Sequence, residues 1–271
     1  MRKIAQLRSI AISCAAAGVF ASSAALAATT PTEANLPAAT PTDLEFSSGF
    51  DYTIGRYGLA SDTTVWDVPF GAKLQAGNLR VEGYIPYIDI KGPGVAAGDV
   101  VVTSGKNIIS EHSGVGDLTL IGGWTVLHET GPIPGIELAG TVKFPTAGTN
   151  LGTGKTDFTA QANLFHSLTP TVLLFGSVGY QWLGSPTGFP LTSGFHATAG
   201  VNFQPQSNIA WGATLDYREK YEATLPDYVA LDPYALWRFA DNFGISIYAI
   251  AGLSNSAPRF GAGLRLIFYA T

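Results

Sequence analysis

Cysteine and methionine occur once each in the 271 residues, and the one cysteine, Cys14, lies near the N-terminus. A disulfide framework and a four-cysteine zinc module are thereby excluded. Charge is scarce too: Asp, Glu, Lys and Arg make up 13% of the chain, about half the share of an ordinary soluble domain. The net charge of −5, without a basic cluster, excludes a general nucleic-acid binder. Beyond residue 45 no run of about 18 apolar residues occurs, so a membrane-spanning helix has no candidate there. What the chain does have is 32 glycines, 15 Phe, 11 Tyr and 5 Trp within a composition that is 46% hydrophobic. Low charge with abundant glycine and aromatics is unusual in the cytosol and ordinary in a membrane β-barrel.

The first 27 residues fall into three parts. Arg2, Lys3 and Arg8 form a positive head, residues 9–21 are apolar or small, and Ala25-Leu26-Ala27 is a small-x-small cleavage site. This is the pattern of a secretory signal peptide. The rival, an uncleaved membrane helix, is disfavoured by the short stretch and its serines. Ala11-Ile12-Ser13 is a poor lipobox, so Cys14 is not read as a lipid anchor. Removal of this segment leaves a cysteine-free chain with 12 basic and 20 acidic side chains. Residues 28–44 hold three prolines among Thr and Ala with no periodicity, which reads as a flexible periplasmic leader; a binding tail is the other reading.

From residue 45 to the end the pattern is a two-residue alternation. Phe195, Ala197, Ala199, Val201 and Phe203 alternate with His196, Thr198, Gly200, Asn202 and Gln204. Phe260, Ala262, Leu264, Leu266 and Phe268 repeat it near the end, and Phe158, Ala160, Ala162 and Leu164 repeat it earlier. Segments of about 9–13 residues with this period suit tilted strands that cross a bilayer. The spacing predicts strands at 46–58, 63–75, 78–90, 115–127, 136–145, 156–167, 171–182, 194–204, 208–218, 228–239, 243–253 and 259–269. The expected fold is all-β: a transmembrane antiparallel up-and-down barrel of about twelve strands. With both termini periplasmic, the inside turns come out short and most outside loops long, as such barrels require.

Two further patterns agree. No Asp, Glu, Lys or Arg takes the lipid-facing parity in mid-strand, and Arg56 and Asp89 do so only near strand ends. A basic side chain at the bilayer midplane costs roughly 2–4 kcal/mol. Trp66, Trp124, Trp182, Trp211 and Trp237 all take the lipid-facing parity, four of them near strand ends, where aromatic girdles belong. A soluble sandwich with core tryptophans would carry more surface charge. Pro69 and Pro86 fit poorly, because each falls inside an expected strand and has no N–H for the ladder.

Ser113-Gly114-Val115-Gly116-Asp117-Leu118 opens the fourth strand. It is followed by Lys143-Phe144-Pro145-Thr146-Ala147-Gly148, by Leu151-Gly152-Thr153-Gly154 and by Asp157. In order and spacing these pieces resemble the outer-membrane family associated with the meta-cleavage pathway of phenol degradation, with Ala147 interrupting its P-T-G step. The resemblance implies a bacterial outer-membrane location, lipid and the barrel-assembly machinery as partners, and passage or sensing of small hydrophobic or aromatic compounds. Read locally, Asp117 and Asp157 sit just inside the outer rim. They either hold a cation or ligand, or pair with Lys143 and cap backbone N–H groups.

The lumen-facing parity collects Asp51, Asp67, Glu82, Asp117, Glu137, Asp157, Asp216 and Asp232 against Lys73, Arg80, Lys143, Arg218, Arg238 and Arg265, with His196 near the rim. Leu173, Phe175, Ile250 and Ile267 take the same parity. Twelve strands lie between a filled eight-stranded barrel and an open sixteen-stranded one, so either a selective channel or a lumen plugged by ion pairs is compatible with this set. Segment 91–114 either folds into the mouth or extends the wall. Ser193 and His196 with Asp216 or Asp232 would be the residues of a rim hydrolase, but no G-x-S-x-G elbow accompanies them. Glu111 and His112 are too few ligands for a metal site. The expectation is a passive channel that is not an enzyme and uses no cofactor or metal. A non-transporting structural or surface-binding barrel is the alternative.

Overall fold

In the structure, a computed structural model, residues 43–270 are described apart from 60, 98–99, 104–108, 149–150 and 187–189. The segment read as a signal peptide, and all but the end of the one read as a leader, lie outside the described residues. Strand β1 spans Asp43–Gly55, β2 Thr63–Ala76 and β3 Leu79–Gly92, followed by a small hairpin of β4 (Gly94–Ala97) and β5 (Val100–Thr103). Then come β6 (Ser110–Val115), β7 (Leu118–Leu127), β8 (Gly135–Phe144), β9 (Asp157–Thr169) and β10 (Val172–Trp182). The chain ends with β11 (Gly194–Gln206), β12 (Ile209–Arg218), β13 (Tyr228–Ala240), β14 (Phe243–Gly252) and β15 (Phe260–Ala270).

Every large strand pairs antiparallel with its sequence neighbours, and β1 pairs with β15 from Leu44↔Ala270 to Ile54↔Phe260. The sheet is therefore closed. β6 and β7 lie one after the other along β3 and make one stave broken at Gly116-Asp117, so the wall has twelve staves, at the twelve expected places. Around the barrel itself closure joins the first stave to the last, which is what a strand-built membrane protein needs, and only β6 and the β4–β5 hairpin at the long-loop end keep an open edge among the described residues.

The prolines that fit the sequence pattern poorly are opposite each other: Pro69 pairs with Pro86 across β2–β3. Each then faces its other neighbour with a missing donor. The β1–β2 ladder steps from Ser48↔Phe70 to Asp51↔Asp67, passing over Pro69. The β3 ladder steps from Tyr87↔Val115 to Tyr84↔Thr119, a one-residue slip where the stave breaks. There Pro86 still serves as an acceptor, taking the Gly116 N–H at 2.8 Å. Two prolines thus spoil one place in the wall rather than two.

Burial follows the alternation. In β9, Asp157, Thr159, Gln161, Asn163 and Phe165 are buried while Phe158, Ala160 and Leu164 are exposed. The exposed face is the apolar one on every stave, which turns a soluble protein's pattern inside out. All five tryptophans are on it, exposed by 40–52%. Near the short-turn end, Phe203 packs on Trp211, Trp237 on Phe239, and Phe243 on Phe268. Near the other end, Tyr52 packs on Trp66 and Tyr180 on both Trp182 and Phe195. Two aromatic girdles bounding an apolar belt form a surface made for lipid.

The connections segregate by length. Both ends of the barrel chain and the turns at Gly77-Asn78, 170–171, 207–208 and 241–242 share one end. The longer connections share the other, except 128–134 between β7 and β8, which lies with the short turns. Segment 91–114 extends the wall at its flanks, where β3 and β6 stay paired out to Gly92↔Ser110, and between them β4 and β5 form their own two-stranded sheet.

Candidate functional site

The interior is where this barrel can do chemistry, and its polar side chains are organised as separate clusters. The first lies at the long-loop end, on the residues of the sequence motif. Lys143 Nζ on β8 sits 3.2 Å from Asp117 Oδ2 at the start of β7 and 2.7 Å from Asp157 Oδ2 on β9. The other carboxylate oxygens receive backbone donors: Ala147 N–H donates to Asp117 Oδ1 and Gly184 N–H to Asp157 Oδ1, each at 2.8 Å. Thr146 Oγ1 accepts the Leu118 N–H at 2.8 Å. A Cβ on Gly152 would stand 2.8 Å from Asp117 Oδ2, so only glycine lets segment 145–156 lie this close. Of the two sequence readings, the ion pair with backbone capping is what forms: the motif fastens three staves and two loops. Beside it, Tyr57, Ile88, Ile90 and Leu151 make an apolar plug. Tyr57 donates to Thr53 Oγ1 at 2.8 Å, and burial pushes its hydroxyl pKa up.

The second cluster lies toward the short turns. Arg80 donates from Nε and Nη2 to the two oxygens of Glu137 at 3.0 and 2.6 Å, and from Nη1 to Glu82 at 2.5 Å. Asn163 donates to Glu137 Oε1, and Gln161 to Asn163 Oδ1, both at 2.7 Å. Lys73 reaches Glu45 at 3.5 Å nearby. The third cluster is central. Arg265 holds Asp51 Oδ2 at 2.7 Å, Tyr248 donates to Asp51 Oδ1, and Asp67 stands directly across the ladder from Asp51. In the fourth, Thr198 and Thr214 donate to the two oxygens of Asp216 at 2.5 and 2.8 Å, and Asp232 pairs with Thr214 in the ladder.

Arg238 lies at the short-turn end, bonded to the Asp241 carbonyl and placed 4.4 Å over the Tyr269 ring. Arg218 lies at the opposite end, its guanidinium carbon over the rings of Tyr221 and Tyr228 at 4.0 and 4.6 Å. His196 is buried and pairs across the ladder with Arg218 on one side and Gly179 on the other. Two of the three groups named with it for hydrolysis are engaged elsewhere: Ser193 Oγ accepts the Leu183 N–H at 3.0 Å, and Asp216 is held by its two threonines. Glu111 pairs with Lys91 at 3.2 Å.

Parity and charge pick out fifteen interior positions, and all fifteen are buried or half-buried. The same reasoning passed over the neutral partners Gln161, Asn163, Thr198, Thr214, Tyr234 and Tyr248. Their inward parity was readable, but nothing in a strand's pattern says which of them meets a carboxylate. Tyr221 lies in a loop, where parity carries no information.

Apolar side chains also line part of the interior, beside the Asp216 cluster, and the hydroxyls of Tyr234 and Tyr248 among them bond to Asn202 and Asp51. Leu173, Phe165 and Phe175 near the short turns join Tyr234 and Tyr248 midway, then Tyr228, Ala230, Ile250 and Ala257 near the long loops, as one packed cluster. Leu173, Phe175 and Ile250 were expected inside on parity, and Ile267 is buried in a smaller cluster with Tyr269. The rings lie across glycines of neighbouring staves: Phe175 over Gly200 and Tyr234 over Gly212, where an added Cβ would come within 2.3 and 2.8 Å of ring atoms.

The comparisons with known proteins agree with the architecture. A family model described as "Putative MetA-pathway of phenol degradation" matches residues 42–269. A crystal structure of an outer-membrane channel from Pseudomonas putida F1 superposes with a TM-score of 0.67 at 14% identity, over 87% of this chain and 97% of that one. The KdgM porin superposes with a TM-score of 0.52 at 6% identity, over 82% and 98% of the two chains. The NanC porin gives 0.51 at 9% identity, over 84% and 100%. At these identities the likeness is one of fold. No curated protein sequence matches the chain.

Proposed function

The chain belongs to the phenol-degradation meta-pathway family of barrels, and on that premise we propose that it is a passive outer-membrane channel for small hydrophobic or aromatic molecules. The observation that carries this reading is the apolar track inside the barrel, which runs from Ala257 and Tyr228 at the long-loop end to Leu173 at the short-turn end. A structural barrel closed by ion pairs has no need of an apolar path along its whole length. A solute with an apolar body moves down its gradient along the rings, while the ion clusters on β3, β7, β8 and β9 hold the opposite wall fixed. The fold's likeness to an outer-membrane channel supports the same reading.

A sealed, non-transporting barrel is the competing reading. It is favoured by how little of the lining is accessible: Arg80, Glu137, Asp51, Ile121 and Ile250 are all 2% exposed or less. Passage therefore requires side chains to move aside as the solute advances. The deciding experiment is flux through the purified protein in liposomes, comparing toluate with a sugar of similar size. A charged aromatic is used because neutral phenol crosses lipid unaided. Saturable toluate flux that exceeds sugar flux is the expected result. No flux of either solute would reject the channel and leave the sealed barrel.

A further inference from the structure

Among the buried bases of the lumen, Arg218 stands apart. Lys73, Arg80, Lys143 and Arg265 each lie within 4.0 Å of a carboxylate. Arg218 is 8% exposed, and its Nε and Nη1 have no hydrogen-bond partner among the described residues. The nearest acid along its own strand, Asp216, has both oxygens occupied by Thr198 and Thr214. A guanidinium always carries its charge, and burying it without an anion leaves its desolvation uncompensated. Tyr221 and Tyr228 offset part of that cost, since the guanidinium carbon lies over both rings. A ring face accepts no in-plane N–H bond, so Nε and Nη1 still lack an acceptor among the described residues.

The surroundings are built rather than incidental. Tyr221 is 4% exposed and doubly tied: its hydroxyl donates to Gln181 Oε1 at 2.6 Å, and its carbonyl accepts the Thr192 N–H at 2.7 Å. Tyr228, the other ring, belongs to the apolar track together with Ala230, Ile250 and Ala257. The charged edge and the greasy wall therefore meet at one residue. His196, directly across the ladder from Arg218, adds positive potential whenever it is protonated. Of the three acids in the neighbouring loop, Glu219 accepts the Phe195 N–H, Asp227 accepts the Tyr217 hydroxyl and the Lys220 N–H, and Glu222 is buried.

We propose that Arg218, packed over the rings of Tyr221 and Tyr228, is a binding site for the carboxylate of an aromatic acid whose ring lies on the apolar track beginning at Tyr228. This narrows the solute class of the proposed channel and rests on that reading for its physiological use. The binding itself can be measured without transport.

The test is calorimetric titration of benzoate into the detergent-purified full chain, with benzamide, acetate and chloride as comparison ligands. Benzoate is expected to bind and benzamide to bind at least about tenfold more weakly, the ratio for losing one hydrogen bond between charged partners. Arg218→Gln should lose benzoate by a similar factor, and Arg218→Lys should recover only part of it, because the ammonium lacks the planar fork. Tyr221→Leu keeps the charge and removes one ring, so it serves as a second variant should Arg218→Gln not fold; benzoate should weaken several-fold there too. Equal binding of benzoate by wild type and the folded Arg218 or Tyr221 variants would overturn the site. So would acetate or chloride binding as tightly as benzoate, which would mark a general anion site. The two proposals fail separately: Arg218-dependent binding without flux rejects the channel alone, and flux without Arg218-dependent binding rejects this site alone.

Discussion

Arg80 and Glu137 are joined by two hydrogen bonds although they belong to β3 and β8, with β7 between them. The bridge passes over Gly123, where an added Cβ would stand 2.7 Å from Glu137 Cδ. Glu137 is wholly buried and Arg80 is 1% exposed. Removing one partner strands the other charge, so Glu137→Ala should destabilise the barrel by about 3–5 kcal/mol. The double variant Arg80→Met/Glu137→Gln should lose less than the two single changes summed. Unfolding followed by the mobility difference between folded and unfolded barrel on a gel reads this out. A Glu137→Ala midpoint equal to wild type would refute the account.

Lys143 is the only base within 4.0 Å of Asp117 and Asp157 among the described residues, and both carboxylates also hold loop amides. Lys143→Met leaves two facing carboxylates. Their repulsion should loosen segment 145–156 while the backbone ladders keep the wall intact. Limited proteolysis should then cut the variant in that segment well before wild type, with the folded gel mobility unchanged. Equal cutting rates would show that the loop is held by its backbone alone.

How much of this was legible in the sequence depended on range. The staves, their faces and the position of every tryptophan followed from a period of two, because lipid outside and side chains inside constrain each residue singly. The Asp117, Lys143 and Asp157 lock was half legible, since the three fall on consecutive strands at the same rim. The partner of Asp51 was not: Arg265 is 214 residues away and becomes its neighbour only when β15 closes on β1 in one register. Nor was the bridge over Gly123, which depends on a missing side chain on the strand between. The Pro69–Pro86 pairing belongs to the same class, since each proline alone reads as a fault in its own strand.

The apolar track makes a prediction that polarity alone does not. Gly200→Val places carbon within 2.3 Å of the Phe175 ring and must turn that ring out of its place. Toluate flux through liposomes should fall severalfold while the barrel still folds. Gly122→Ala is the control: it is exposed on the outer face, and nothing lies within 4 Å of its added Cβ. Loss of flux in both variants, or in neither, would detach transport from the track.

The lipid belt can be tested by depth. Leu264 is at mid-strand in β15, 43% exposed, between Phe50 and Ile247, both of which also face outward. Leu253, exposed by 61%, lies in the connection between β14 and β15 at the long-loop end. Leu264→Arg should cost roughly 2–4 kcal/mol and Leu253→Arg only about 0–1 kcal/mol, because the penalty for a buried guanidinium falls from midplane to interface. Folding equilibria in lipid vesicles measure both. The same substitutions made in detergent should differ far less, since a micelle deforms around the charge. Equal costs in vesicles would mean that the apolar belt does not face hydrocarbon, and the outward pattern would then need a protein partner to cover it.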